Sequence, residues 1–128
     1  MTRLALLLAL PLLACGDNTV AEFYQDRGFS TSTWSPADLP LQPASLADLA
    51  GGDRFTNASI IEGLLRGHDF SPRRDAVLLN AGAALFIAGA TRSIAEGWDT
   101  SLDILNSGAA WELVLALRQF TPRPTTTP

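Results

Sequence analysis

Gly51-Gly52-Asp53, a glycine pair followed by an acid, is the stretch of this sequence that most resembles a ligand-binding motif. A glycine pair before a helix can bind phosphate through backbone N–H groups at the positive end of the helix dipole. Phosphate loops of this kind normally follow a buried strand and contain more glycines. This pair follows a short amphipathic segment instead. We therefore interpret it as the exit from one helix, with Asp53 capping the next.

The chain has few side chains that could bind a metal ion. Cys15 is the only cysteine and His68 the only histidine, so one copy cannot build a Cys/His zinc site or an internal disulfide. Glu96, Asp99 and Asp103 lie on one predicted helix without basic or metal-binding companions, which favours a solvated face. We assign no catalytic, cofactor-binding or metal-binding residue to the chain.

The N-terminus contains one possible modification site. Arg3 precedes an apolar run, residues 4–13, which has the length of a signal peptide and is too short to span a bilayer. Leu12-Leu13-Ala14-Cys15 is similar to a bacterial lipobox, in which the chain is cut before a lipidated cysteine. Considered alone, these residues favour lipidation of Cys15. The alternatives are an ordinary buried segment or a stretch translated from a chance start codon.

The bulk composition limits the size and the partners of the molecule. The chain has 128 residues, enough for one small domain or part of a larger one, and its hydrophobic fraction of 47% is ordinary for a globular protein. The net charge is −4 and no Lys/Arg cluster occurs, which disfavours nucleic-acid binding.

The first half of the chain predicts a β-hairpin and short helical segments. Residues 19–24 contain Val20 and two aromatic residues that favour a strand. Asp26-Arg27-Gly28 is a turn signal, and residues 29–34 predict the returning strand. A helical turn is expected at Ser35-Pro36-Ala37-Asp38, and a short helix over residues 45–50.

The second half predicts four longer helices with recognisable ends. Asp53 starts the first and Gly67 ends it, Ser71 and Pro72 start the second, and Ser93-Ile94-Ala95-Glu96 is a capping box for the third. The expected packing residues are Phe55, Ile60, Ile61, Leu64 and Leu65 in the first helix, Ile94, Trp98, Leu102 and Leu105 in the third, and Trp111, Val114, Leu115 and Leu117 in the fourth.

The second of these helices, over residues 73–89, is the predicted centre of the fold. From Ala76 to Ala88 only Asn80 has a polar side chain, and the large apolar residues point to every side of the helix. A helix that is apolar all round is expected to be buried all round. Ala81, Gly82, Ala83 and Ala84 have little bulk, so another backbone can approach closely there.

These segments, in their order and spacing, resemble the C-terminal part of anthranilate phosphoribosyltransferase, an enzyme of tryptophan biosynthesis, from about residue 19 to residue 120. The most specific piece is Arg73-Arg74-Asp75-Ala76-Val77-Leu78-Leu79-Asn80-Ala81-Gly82-Ala83-Ala84-Leu85. The other pieces are Ala44-Ser45-Leu46-Ala47-Asp48-Leu49, Gly51-Gly52-Asp53 with Asn57-Ala58, Ala88-Gly89, Ser93 with Glu96-Gly97, Asn106-Ser107-Gly108 and Phe120-Thr121.

The resemblance implies an α/β fold, in which this chain is a partial large domain with a short β-hairpin followed by a mainly helical C-terminal half. The family transfers phosphoribosyl from phosphoribosyl pyrophosphate to anthranilate, with magnesium. Its catalytic motifs are Gly-Thr-Gly-Gly-Asp, Lys-His-Gly-Asn and an Asp-Glu pair, and none of them occurs here. Gly51-Gly52-Asp53 matches a separate, later Gly-Gly-Asp of the family, so the resemblance assigns it no phosphate.

We therefore expect a cytoplasmic enzyme fragment that is inactive alone, binds no cofactor, and either needs its missing N-terminal part or self-associates. The expected organisation is an unmatched N-terminus over residues 1–15 (signal-like or an artificial start), the phosphoribosyltransferase part over residues 16–120, and a disordered tail over residues 121–128. The alternative is a small lipid-anchored envelope protein with an interaction role, held at the membrane through Cys15.

Overall fold

The computed structural model describes residues 17–24 and 28–121, which form an antiparallel β-hairpin followed by four α-helices. The elements are β1 Asn18–Tyr24, β2 Gly28–Trp34, a 3-10 turn Pro36–Asp38, α1 Arg54–Leu65, α2 Pro72–Ile87, α3 Ile94–Asn106 and α4 Ala109–Phe120. This order confirms the predicted hairpin followed by a helical half. The lipobox-like segment with Cys15, the turn residues Asp26 and Arg27, and the predicted tail from residue 122 lie outside the described part.

The hairpin joins the helical part through one buried and one half-buried side chain. Its register runs from Asn18 opposite Trp34 to Tyr24 opposite Gly28. Gly28 has φ +76°, a conformation that glycine adopts without strain, at the start of β2. Val20 is buried in the core, and Trp34 packs against the same cluster. The hairpin therefore covers part of the helical layer.

Residues 45–50 form consecutive turns, so the short helix predicted there is wrong. Asp48 N–H donates to Ser45 C=O at 3.1 Å, and Ala50 N–H donates to Ala47 C=O at 3.2 Å. The Ser45 N–H and hydroxyl donate to the Asp48 carboxylate at 2.8 and 2.7 Å, and these bonds lower the pKa of Asp48. Six residues are too few to offset the cost of nucleating an α-helix, and tight turns satisfy the same polar groups.

The ends of the longer helices follow the predicted signals. The Asp53 side chain accepts from Thr56 N–H at 2.8 Å, Ser71 Oγ from Arg73 N–H at 3.3 Å, and Ser93 Oγ from Glu96 N–H at 3.1 Å. The Glu96 carboxylate does not complete the reciprocal capping box. It accepts from the side-chain Nε of Arg92 and from the backbone N–H of the same residue, and these bonds lower the pKa of Glu96.

The helix α2 forms the centre of the core, as predicted, but it is not enclosed on every side. Leu78 and Leu79 are the largest fully buried side chains in the described part of the chain. Val77 is 38% exposed and Ala84 is exposed, so the expectation of burial all round is wrong. No described element of this chain covers these side chains. Three other residues predicted to pack are exposed because they too lack cover. They are Phe55, Ile61 and Leu117.

The helices α2 and α3 meet through their backbones at a pair of glycines, Gly82 and Gly97. A Cβ added at Gly82 would lie 2.7 Å from the backbone nitrogen of Trp98, and one added at Gly97 would overlap the Gly82 carbonyl. The small residues predicted to admit another backbone therefore do so, at residue 82. The contact places Trp98 and Leu105 of α3 in the same buried cluster as Leu78 and Leu79.

The helices α1 and α4 are linked by an arginine that lies on an aromatic ring. The Arg66 guanidinium is 4.3 Å from the ring centroid of Trp111, and its Nε pairs with Glu62 at 2.9 Å. Such a contact contributes about 0.5–1 kcal/mol at an exposed site. The contact helps to hold α4, which has no buried residue of its own.

We predict that Gly82→Ala and Gly97→Ala each lower the free energy of unfolding, because an added methyl group must separate two backbones. Overpacking of this kind costs about 1–3 kcal/mol. The matched control is Gly63→Ala, since a Cβ at Gly63 in α1 meets nothing within 4 Å. That change should raise stability by about 0.5–1 kcal/mol. Urea unfolding followed by circular dichroism measures all three, and equal midpoints for Gly82→Ala and Gly63→Ala would contradict the prediction.

Candidate functional site

The loop with the glycine pair is closed by its own hydrogen bonds. Gly52 N–H donates to Asn57 Oδ1 at 2.8 Å, and Asn57 Nδ2 donates back to Gly52 C=O at 2.9 Å. The Asp53 carboxylate occupies the start of α1, where the Thr56 N–H holds its pKa below the ordinary value. A phosphate would meet this negative charge, and the Gly52 N–H is already used. The geometry thus agrees with the interpretation of Asp53 as a helix cap.

A groove of about 390 Å³ lies beside this loop, between α1 and the start of α2. Arg73 lies on its wall, where Nη2 donates to Ala50 C=O at 2.9 Å. The Arg73 Nε atom is buried and has no hydrogen-bond partner among the described residues. Most of the other lining residues are apolar: Leu49, Ile60, Ile61, Leu64, Ala76 and Val77. Among its described lining residues, the groove therefore has one guanidinium, which is already engaged, and no second charged group to act with it.

The next side chain of α2, Arg74, connects two distant parts of the chain. Its Nη2 donates to Asn106 Oδ1 at 2.8 Å, and its guanidinium lies 5.2 Å from the Phe70 ring centroid. Asn106 is the last residue of α3. Arg74 thus ties the start of α2 to the end of α3, and its function here is structural.

A buried carboxylate, Asp75, holds the proline-bearing segment against α2. Asp75 is 5% exposed and accepts from the backbone N–H of Gln42 at 2.8 Å and from its side-chain Nε2 at 3.2 Å. Gln42 Nε2 also donates to Phe70 C=O at 3.0 Å. Buried charges require such partners. Asp75 is therefore occupied by its own chain.

The described residues contain no group of three His, Cys, Asp or Glu side chains arranged to hold a metal ion. Asp99 and Asp103 are exposed on α3, and Glu96 is paired with Arg92. His68 is exposed just after α1. The acids of α3 therefore form a solvated face.

A second groove, of about 450 Å³, lies farther along α2, shares Val77 with the first groove, and is almost wholly apolar. We call it the small-residue groove, and it is lined by Leu65, Val77, Leu78, Ala81, Ala84, Leu85, Ala88, Ser101, Ile104, Leu105 and Ala110. The Ser101 hydroxyl is buried and lacks a hydrogen-bond partner within residues 17–24 and 28–121. The groove lies on the side of α2 that carries Ala81 and Ala84.

The described helices include none that is both long enough and apolar enough to cross a lipid bilayer.

The hairpin and the four helices define part of an α/β domain, and the comparisons with known proteins identify that domain. The chain belongs to the family described as "Glycosyl transferase family, a/b domain", whose model matches residues 12–111. The match begins four residues before the boundary that we predicted at residue 16, and it includes Cys15.

Curated proteins similar to this chain include anthranilate phosphoribosyltransferases. The enzyme of Natronomonas pharaonis is 37% identical over 107 residues, which cover 84% of this chain and 32% of that protein. The enzyme of Haloferax volcanii is 42% identical over 101 residues, covering 79% of this chain and 30% of that protein. The resemblance to this family is thereby confirmed. The chain spans about a third of the length of these relatives.

A solved structure gives the same result for the fold. The crystal structure of anthranilate phosphoribosyltransferase (TrpD) from Thermus thermophilus superposes with a TM-score of 0.72 at 36% identity. The superposition covers 81% of this chain and 30% of that one. The chain therefore has the fold of part of that enzyme.

The residues that carry the resemblance contact one another in pairs. Gly52 bonds Asn57 of the same loop, Arg74 bonds Asn106, and Gly82 lies against Gly97. The sequence analysis named all of these residues, but it predicted no contact between any two of them. It missed Gln42 altogether. The available signal was Asp75, an acid next to a long apolar run, which needs a donor from elsewhere in the chain.

We predict that the chain without residues 1–15 is marginally stable and self-associates. Val77, Ile104, Leu113 and Leu117 are exposed, with exposed fractions from 38% to 61%, and large uncovered apolar surfaces drive association. Sedimentation at tens of micromolar, an order of magnitude at which exposed apolar surface aggregates, should give a mass above that of the monomer. A monomeric mass together with a cooperative thermal transition would contradict this.

Proposed function

We propose that the chain is the C-terminal part of an anthranilate phosphoribosyltransferase, and that it supplies scaffold without catalytic residues. One observation supports this above the others: the polar and glycine residues that carry the family resemblance make contacts within the chain. Arg74 bonds Asn106, Asn57 bonds Gly52, and Arg73 bonds Ala50. Residues occupied in this way position the helices and loops of the chain.

The chemistry of the reaction supports the same proposal. Transfer of phosphoribosyl requires stabilisation of a departing pyrophosphate by magnesium and by donors fixed in advance. The described part of the chain has no cluster of acids that fits magnesium, and the whole sequence contains no lysine. Phosphoribosyl pyrophosphate, anthranilate and magnesium would therefore be bound by the part of the enzyme that this chain does not match.

We predict that the purified 128-residue chain does not transfer phosphoribosyl to anthranilate. The loss of anthranilate fluorescence with phosphoribosyl pyrophosphate and Mg²⁺ measures the reaction, and the Thermus thermophilus enzyme is the positive control. A chimera in which residues 17–121 replace the matching segment of that enzyme should show measurable turnover. Turnover by the isolated chain that persists through purification and is lost in Arg73→Ala would contradict the proposal, as would a folded but inactive chimera.

A second candidate function, a small lipid-anchored envelope protein, is favoured by the lipobox-like Leu12-Leu13-Ala14-Cys15. Two observations support the first proposal against it. Cys15 lies inside the range that matches the family, and an activated sugar phosphate is a substrate found inside the cell.

We predict that Cys15 is not lipidated in the native host. Labelling cells with a fatty acid and measuring the mass of the N-terminal peptide tests this, with Cys15→Ser as the control for label incorporated elsewhere. An acylated Cys15 at a mature N-terminus would support the envelope protein instead.

A further inference from the structure

The small-residue groove is a consequence of where α2 meets α3. Ala81, Ala84 and Ala88 are three and four residues apart, so they lie one above another on one side of α2. Gly82 lies about 100° from Ala81 around the helix and faces α3. The three alanines therefore point away from that contact, into a concavity of about 450 Å³.

The chemistry of the groove limits what can occupy it. Ser101 is the only polar residue lining it in the described part of the chain, and no charged residue lines it there. An ion or a sugar phosphate would lose its water without gaining partners. Large aliphatic or aromatic side chains would instead gain free energy in proportion to the apolar area that they bury. The groove thus fits an apolar protein surface.

A concavity of this size is unusual inside a finished domain. Protein interiors are packed as densely as organic crystals, with few voids larger than a water molecule. Val77 and Ile104 line the groove, yet they are 38% and 42% exposed. The groove therefore has the composition of a core and the exposure of a surface. This combination is expected where one part of a domain forms half of a core and another part supplies the other half.

The size of the solved relative indicates what the other part is. The Thermus thermophilus enzyme superposes on this chain over only 30% of its own length. Contact between two copies of the groove would set one alanine-lined concavity against another, because a two-fold interface brings identical patches together. Such a contact can bury the exposed residues Val77 and Ile104, as in the predicted self-association, but it leaves the alanine-lined centre of each groove unfilled.

We propose that the small-residue groove is the docking surface for the upstream part of the same type of enzyme, which fills it with large apolar side chains. This rests on the proposed function, since it takes the chain as part of an anthranilate phosphoribosyltransferase. It adds the surface through which the two parts meet, centred on Ala84.

The test places a charge in the groove in two contexts. Ala84→Glu is made in the full chain and in the chimera with the Thermus thermophilus enzyme. Ala95→Glu, at an exposed alanine of α3 outside the groove, is the matched control. Ala84 is exposed, so in the full chain both variants should keep the thermal midpoint of the unmodified chain to within about 2 °C, as expected for surface changes.

In the chimera, Ala84→Glu should lower the thermal midpoint by on the order of 10 °C, or prevent folding, because the glutamate is buried without a partner. Ala95→Glu should leave it unchanged. Equal midpoints for the two variants in the chimera would overturn the docking surface, as would an unmodified chimera that does not fold. A chimera that folds, shows the difference between the variants and yet lacks turnover would support the docking surface and count against the proposed function.

Discussion

The contact between the backbones of α2 and α3 at Gly82 and Gly97 is the constraint on which the rest of the structure depends. The two helices approach so closely that a single methyl group at either position would overlap the facing main chain. This distance brings Leu78, Leu79, Trp98 and Leu105 into one buried cluster, to which Val20 of the hairpin is added. With residue 82 facing α3, the helical period also decides that residues 81, 84 and 88 face elsewhere. The contact between α2 and α3 therefore determines which side of α2 lies in the packed core and which side lines the open groove.

The polar interactions fix the position of the segments around this pair of helices. Asp75, buried near the start of α2, accepts two hydrogen bonds from Gln42 and so fixes the segment between the hairpin and α1. Arg73 and Arg74 reach in different directions, to Ala50 and to Asn106. Leaving a buried carboxylate without its partners is costly, so the bonds between Gln42 and Asp75 define where that segment lies. The bonds of Arg73 and Arg74 show that residues matching an enzyme family can serve as structural contacts within the chain.

How much of this could be predicted from the sequence depends on the range of the interactions. Helix starts at Asp53, Ser71 and Ser93 were predictable because a cap acts within three residues. The pairing of Gln42 with Asp75 spans 33 residues along the chain, and nothing local indicates it. Residues 45–50 have a helical pattern, but the segment is shorter than a stable helix requires. The exposure of Phe55, Ile61 and Val77 could not be derived from apolar periodicity, because periodicity identifies a face that needs cover and not whether cover is present.

The exposed apolar residues and the missing catalytic motifs have the same physical origin. A reaction on a pyrophosphate ester needs charged and metal-binding groups that converge on one point, whereas a helical layer needs apolar groups spread along its length. The described part of this chain has the second distribution. Arg73 and Arg74 are bonded within the chain, and the acids of α3 form a solvated face. Its alanines and leucines line a continuous groove. If the chain acts as proposed, such a layer influences catalysis through position, because an active site works only when its groups are held to within a fraction of an ångström. The Gly82–Gly97 contact would then act in the assembled enzyme by fixing how α2 lies against α3.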